Sequence, residues 1–120
     1  MSLPNLQYIQ TVEVYSDMAE VYQQFLRKMI SAHKASGIKN KWTVYENTMG
    51  IVRTTREFIF IRALDNWAQL DEIAKEDPLT KIMLDIYGET DSLQWMKVAQ
   101  KSVKKITTSV ISRNADLSLD

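Results

Sequence analysis

From Glu57 to Leu64 the chain reads EFIFIRAL. Phe58, Ile59, Phe60 and Ile61 place large apolar side chains on both alternating faces, and Arg56, Glu57, Asp65 and Asn66 bound the run. A short aromatic and β-branched run of this kind is expected to be a strand with neither face in water, in the middle of a sheet. Leu6 to Tyr15 alternates differently. Leu6, Tyr8, Val12 and Val14 share one face with Gln10 among them, while Gln7, Ile9, Thr11, Glu13 and Tyr15 share the other. That pattern predicts a strand with a core side and a partly polar side. Asn40 to Met49 carries polar residues on both faces and predicts an edge strand, joined through Gly50 to Thr55 to the Glu57 strand as a hairpin.

The rest of the chain has helical spacing. Met18, Tyr22, Phe25, Leu26, Met29 and Ile30 form one stripe. Ser16 or Asp17 is expected to cap this helix, with Asp17 and Glu20 in capping-box spacing, and Gly37 to stop it. Asp65 and Asn66 open a second helix, Asn66 and Gln69 repeating the capping spacing and Trp67, Leu70, Ile73 and Ala74 expected inward. Asp77-Pro78 ends it and starts a third, with Asp77 as N-cap, a stripe of Leu79, Ile82, Met83, Ile86 and Tyr87, and Gly88 at its close. Thr90 or Asp91 is expected to cap a fourth, with Leu93, Met96, Ala99 and Val103 inside. It gives way near Lys105 to a last strand, Ile106 to Arg113, followed by a polar tail from Asn114.

Strand, helix, strand, strand, helices, strand is the split βαβ, ferredoxin-like order. The predicted fold is α+β, a single domain over residues 1–120, with a four-stranded antiparallel sheet and extra helical structure before the last strand. The first and third strands lie in the centre and the second and fourth at the edges. Helices then cover one face only. Either Phe58 with Phe60 or Ile59 with Ile61 must point to the bare side, forgoing roughly 1.5–3 kcal/mol of burial per side chain. An exposed patch of that kind marks an interface, so the expected partner is a second copy of the chain, packed sheet face to sheet face.

Composition removes several classes. Lys plus Arg and Asp plus Glu are equal at 15 each, which gives no general attraction to nucleic acid or to an anionic membrane. No apolar run approaches the ~18 residues of a membrane span. Met1 to Leu6 has no basic or long apolar leader segment. The default expectation is a cytoplasmic protein, or an exported one if a leader once preceded Met1. There is no cysteine and one histidine, so a multi-histidine or thiolate metal site within one protomer is excluded. The chain contains no GxGxxG, GxxxxGK[ST], GxSxG or HExxH motif, which argues against nucleotide-dependent chemistry.

Few residues remain as chemistry. His33 ends the inner stripe of the first helix. It is a candidate catalytic base or haem ligand in a cleft between helix and sheet, or else a helix-end histidine bonded to the last carbonyls. Arg62 continues the face of Phe58 and Phe60 and offers a planar fork for a carboxylate or phenolate, or an ion pair with Glu13, Glu46 or Asp65. Trp42, Tyr45, Trp67 and Trp95 are either pocket lining or plain core. Glu13 and Glu46 form a possible carboxylate pair. Lys101, Lys104 and Lys105 read as a solvated helix face.

Four stretches carry a resemblance: SAHKASG at Ser31 to Gly37, KWTVYENTMG at Lys41 to Gly50, ALDNWAQLDEI at Ala63 to Ile73, and NADLS at Asn114 to Ser118. With them the chain resembles the dimeric α+β barrel superfamily, specifically small bacterial members of unknown function related to antibiotic-biosynthesis-type monooxygenases. In that superfamily two ferredoxin-like protomers close an eight-stranded barrel. It includes cofactor-independent quinol monooxygenases, haem-degrading enzymes, chlorite dismutase-like haem proteins, muconolactone isomerases and stress-response proteins. The resemblance implies a homodimer with a pocket for a small apolar or aromatic molecule. It implies either a cofactor-independent monooxygenase or isomerase, or a non-catalytic binding or assembly module; in the enzyme reading His33 is the candidate catalytic group and Tyr45, Arg62 and Trp67 the candidate ligand-binding residues. No cofactor is expected in that reading. Haem-degrading members use an asparagine, a tryptophan and a histidine, residue types present here as Asn47, Trp67 and His33, so a haem protein is a further alternative.

Overall fold

The structure, a computed structural model, describes residues 6–37, 42–47, 55–75 and 78–117. Strand β1 (Leu6–Tyr15) leads through a 3-10 turn into helix α1 (Ala19–Ser36), then strands β2 (Thr43–Glu46) and β3 (Thr55–Leu64). Helices α2 (Ala68–Lys75), α3 (Pro78–Tyr87) and α4 (Glu89–Ser102) precede strand β4 (Val103–Ser112). The sheet order is β2-β3-β1-β4, with every neighbouring pair antiparallel. The two-faced strand β3 therefore lies inside the sheet beside β1, as its apolarity requires, and the split βαβ topology stands.

Register decides which face is covered. Val12 pairs with Phe58, Gln10 with Phe60 and Tyr8 with Arg62 across β1 and β3. Val12, Val14 and Phe58 are buried with Tyr22, Phe25, Leu26, Met29 and Ala32 of α1 and with Ile82 and Met83 of α3. Phe58 and Phe60 thus meet the helices. Ile9, Ile59 and Ile61 point the other way and contribute nothing to that core cluster. Ile9 pairs directly with Ile61, and Tyr45 of β2 stands beside Ile59 on the same open face.

Local chemistry explains most element ends. Gly37 terminates α1 at φ 72°, a left-handed conformation that costs glycine little. The Asn66 side chain accepts from the Gln69 amide N–H, while the Gln69 side chain accepts from the Asp65 N–H, a reciprocal cap at the start of α2. Pro78 takes the first position of α3, where a missing N–H costs nothing. Tyr87 donates to the Lys28 carbonyl at 2.8 Å, tying the end of α3 to α1.

Several expectations are corrected. Neither Ser16 nor Asp17 caps α1: the chain enters through the Ser16–Met18 turn, with no side-chain cap bond. Helix α4 starts directly after Gly88, so Thr90 and Asp91 lie within its first turn. Strand β4 begins at Val103, three residues early, which puts Lys104 and Lys105 on a strand instead of a helix. A register shift between Glu13 and Val14 of β1 accommodates Lys104, while Lys105 pairs with Glu13. Leu93 is 53% exposed and Trp67 60% exposed, so neither faces inward. Trp67 sits in the turn before α2, outside the helical periodicity from which its direction was read. Residues 40–41 and 48–49 of the expected second strand, residues 50–54 of its link and Asp77 lie outside the described residues, as do the side chains of Ile73, Ala74 and Leu79.

Candidate functional site

Helices cover the inner face of the sheet incompletely. A cavity of about 240 Å³ lies between α1 and the centre of the sheet. Its apolar wall includes Val12, Phe25, Leu26, Met29, Trp42 and Phe60. Alternation along β1 supplies Tyr8 and Gln10, alternation along β3 supplies Arg62, and the helical stripe of α1 supplies Tyr22 and His33. Ile106 of β4, 53% exposed, stands at its outer side.

The helix fixes the state of the histidine. His33 Nδ1 lies 3.1 Å from the Met29 carbonyl one turn back. A carbonyl only accepts, so Nδ1 carries the proton and, in the neutral ring, Nε2 carries the lone pair. The edge of the Trp42 indole packs against the imidazole at 5.8 Å and 83°, and Trp42 in turn packs on Phe60 at 5.6 Å. The position of His33 agrees with part of each sequence reading, although the carbonyl it bonds is one turn back and not among the last of the helix. It is a helix-end histidine bonded to a carbonyl, and it lines the cavity. A base with a defined tautomer in an apolar wall is equipped for proton transfer.

Arg62 lines the same cavity, directly across the strand pair from Tyr8. Of the three acids expected to pair with it, Glu46 bonds Arg56, Glu13 lies on the open face of the sheet and Asp65 accepts from the Gln69 side chain, while Arg62 keeps an interaction of its own within the protein. Glu13 and Glu46 are thereby on opposite faces and form no carboxylate pair. Glu13 instead stands between Glu57 and Lys105. Tyr22, 4% exposed and packed against Phe25 and Phe58, has its phenol pushed up to about 12 by burial.

The remaining candidates lie elsewhere. Tyr45, 55% exposed, is on the open face of the edge strand, and Trp67 is on the surface. The structure therefore brings His33 and Arg62 together at one cavity and leaves Tyr45 and Trp67 outside its lining. Asn47, Trp67 and His33 do not share it either. Trp42 is the tryptophan that lines it, while Trp95 packs against the core from α4. Tyr8, Gln10 and Tyr22 enter the site without having been singled out. The available signal was Gln10, an amide on the apolar face of a central strand. Among the described residues no group of histidine, aspartate and glutamate is placed to hold a metal ion, and no helix is long and apolar enough to cross a membrane.

No protein-family model matches the chain, and no curated protein matches its sequence. Solved structures do match in shape. A Pseudomonas aeruginosa protein is 16% identical with a TM-score of 0.54, covering 96% of this chain and 98% of its own. An antibiotic biosynthesis monooxygenase is 10% identical with a TM-score of 0.54, covering 91% and 98%. An uncharacterized NIPSNAP domain protein from Burkholderia xenovorans is 11% identical with a TM-score of 0.53, covering 96% and 99%. At such identities the likeness is one of fold, and the chain is a ferredoxin-like α+β domain of the kind those monooxygenase and NIPSNAP structures share.

Proposed function

We propose that the chain is a homodimer, joined through its open sheet faces, that binds a small, mainly apolar ring compound between sheet and helices. His33 then acts as general base in a cofactor-independent oxygenation or isomerisation of an aromatic or enolisable substrate. One observation carries this reading: an imidazole with its proton held at Nδ1 by the Met29 carbonyl lines an otherwise largely apolar cavity. The fold shared with an antibiotic biosynthesis monooxygenase agrees with it. In the reaction, Nε2 takes the proton from the acidic C–H or O–H of the bound ring, and the apolar wall keeps competing water away.

Size selects the ligand class. A cavity of about 150 Å³ holds benzene, so one of about 240 Å³ suits one or two fused rings. A porphyrin is a far larger macrocycle with two propionates, so the size of the cavity favours a smaller ring.

Calorimetric titration with 2-naphthol tests binding. A saturable heat signal is expected, and Ile106→Trp, which fills the cavity from its exposed side, should abolish it. Undiminished binding in that variant overturns the pocket assignment. Dioxygen uptake with 1,4-naphthohydroquinone tests catalysis. His33→Gln should lower it by roughly 10²–10⁴-fold, the usual contribution of a general base. Binding without turnover would leave the chain a binding module.

A further inference from the structure

We propose that Tyr22 selects the ligand: its phenolic O–H donates to a carbonyl oxygen, so the pocket takes a ring ketone whose carbonyl lies at the opposite end from the group that meets His33. The inference rests on the reading that the cavity binds a small ring compound, and adds the polar group which that compound carries. Tyr22 is 4% exposed, with its ring centre 5.8 Å from that of Phe25 and 5.4 Å from that of Phe58. Its hydroxyl makes no hydrogen bond among the described residues, and burial is the one cause that raises its pKa. A buried phenol ordinarily has a partner. Tyr22 forms part of the cavity wall. Tyr8 and Gln10 line the cavity too, but both are only half-buried and can bond outside water. Tyr22 is closed off from that side, so the cavity is where its partner arrives.

Burial also settles which way the bond runs. With its phenol pushed up to about 12, Tyr22 keeps its proton at neutral pH and is available as a donor. His33 Nε2 offers a lone pair instead. The two lie eleven residues apart on α1, about three turns or roughly 16 Å of helix axis. They therefore address different ends of a bound ring. A ligand that satisfies both has an accepting oxygen at one end and a donating hydroxyl at the other, with an apolar, flat body between. A fused-ring hydroxyaryl ketone has that form and the size of the cavity.

The test compares 6-hydroxy-1-tetralone with 6-hydroxytetralin, which lacks only the carbonyl, by calorimetry on the full chain. The ketone should bind about tenfold more tightly, the worth of a hydrogen bond made to an otherwise unpartnered buried group. Tyr22→Phe should erase or reverse that preference. It should also match or exceed the wild type in urea stability, because the hydroxyl bonds nothing in the protein. His33→Gln should leave the ratio between the two compounds unchanged. If the compounds bind equally to the wild type, if the preference survives in Tyr22→Phe or collapses in His33→Gln, or if Tyr22→Phe is less stable, the carbonyl assignment falls and the pocket stands. If neither compound binds, the pocket reading fails, and this inference with it.

Discussion

Ile61 and Phe58 lie three residues apart on one strand, and the structure gives them opposite fates. Phe58 is 3% exposed, against Tyr22 at 5.4 Å between ring centres. Ile61 points to the open face beside its cross-strand partner Ile9. In the proposed dimer Ile61 is buried by the second copy. Burying an isoleucine fully is worth roughly 1.5–3 kcal/mol; Ile61 is already partly buried in the protomer, so the second copy adds about a third of that, and a twofold interface loses the residue twice. Ile61→Asp should then weaken dimerisation by at least ~1–2 kcal/mol, or roughly 5–30-fold in Kd, before the cost of placing two carboxylates at the interface. Sedimentation velocity across the micromolar range is the assay: wild type should be dimeric and the variant monomeric. The variant protomer should keep its helical signal, because Ile61 takes no part in the protomer's core cluster. Phe58→Ala should instead cost about 3–5 kcal/mol of protomer stability in urea, through lost transfer energy and the cavity left behind. A wild type that is monomeric at every concentration, or an Ile61→Asp chain that still dimerises, refutes the face-to-face assembly. An Ile61→Asp protomer as destabilised as Phe58→Ala would show that this face belongs to a core within the protomer.

Other consequences are simpler to read. Tyr22 should ionise near 12; free tyrosine does so near 10, so the unfolded chain loses the phenolic proton first. Folding stability should accordingly be intact below pH ~10 and fall by roughly 2–3 kcal/mol as pH rises to ~12. In a phenolate absorbance titration Tyr22→Phe should remove the component near 12, and loss of a component near 10 instead would contradict the burial argument. Gly37→Ala should cost about 1 kcal/mol in thermal or urea unfolding through backbone strain alone, since an added Cβ at φ 72° meets nothing within 4 Å. Asn66→Ala should destabilise the fold by about 0.5–2 kcal/mol by removing the acceptor for the Gln69 N–H. Haemin mixed with the protein should give no Soret band dependent on His33.

What was legible in the chain followed from period. Alternation with a two-faced apolar run located β1 and β3 and put β3 inside the sheet, because a strand with no polar face has no other stable place. Alternation alone was silent on which of those faces the helices take. Val12 and Val14 on β1 decide it, since they are buried with α1, and antiparallel register then carries Phe58 to the same side. Caps were less legible. Asn66 and Gln69 have the spacing and make the bonds, whereas Asp17 and Glu20 have the spacing and do not. Spacing states that a cap can form, and the path of the chain into the helix decides whether it does. The site divides in the same way. His33 and Arg62 each lie on a periodic element, so their faces followed from the pattern, and they meet at one cavity. Trp67 lies in a turn and Tyr45 on a short edge strand, where aromatic character gives no direction. The polar residues that complete the cavity, Tyr8 and Gln10, lie on the inner face of β1 among valines and a leucine. An amide and a phenol on the covered face of a central strand forfeit apolar burial, and they are tolerated where a cavity or a ligand meets them. Such an interruption in an otherwise apolar face, rather than a catalytic motif, is the signal by which a pocket of this kind is found in a sequence.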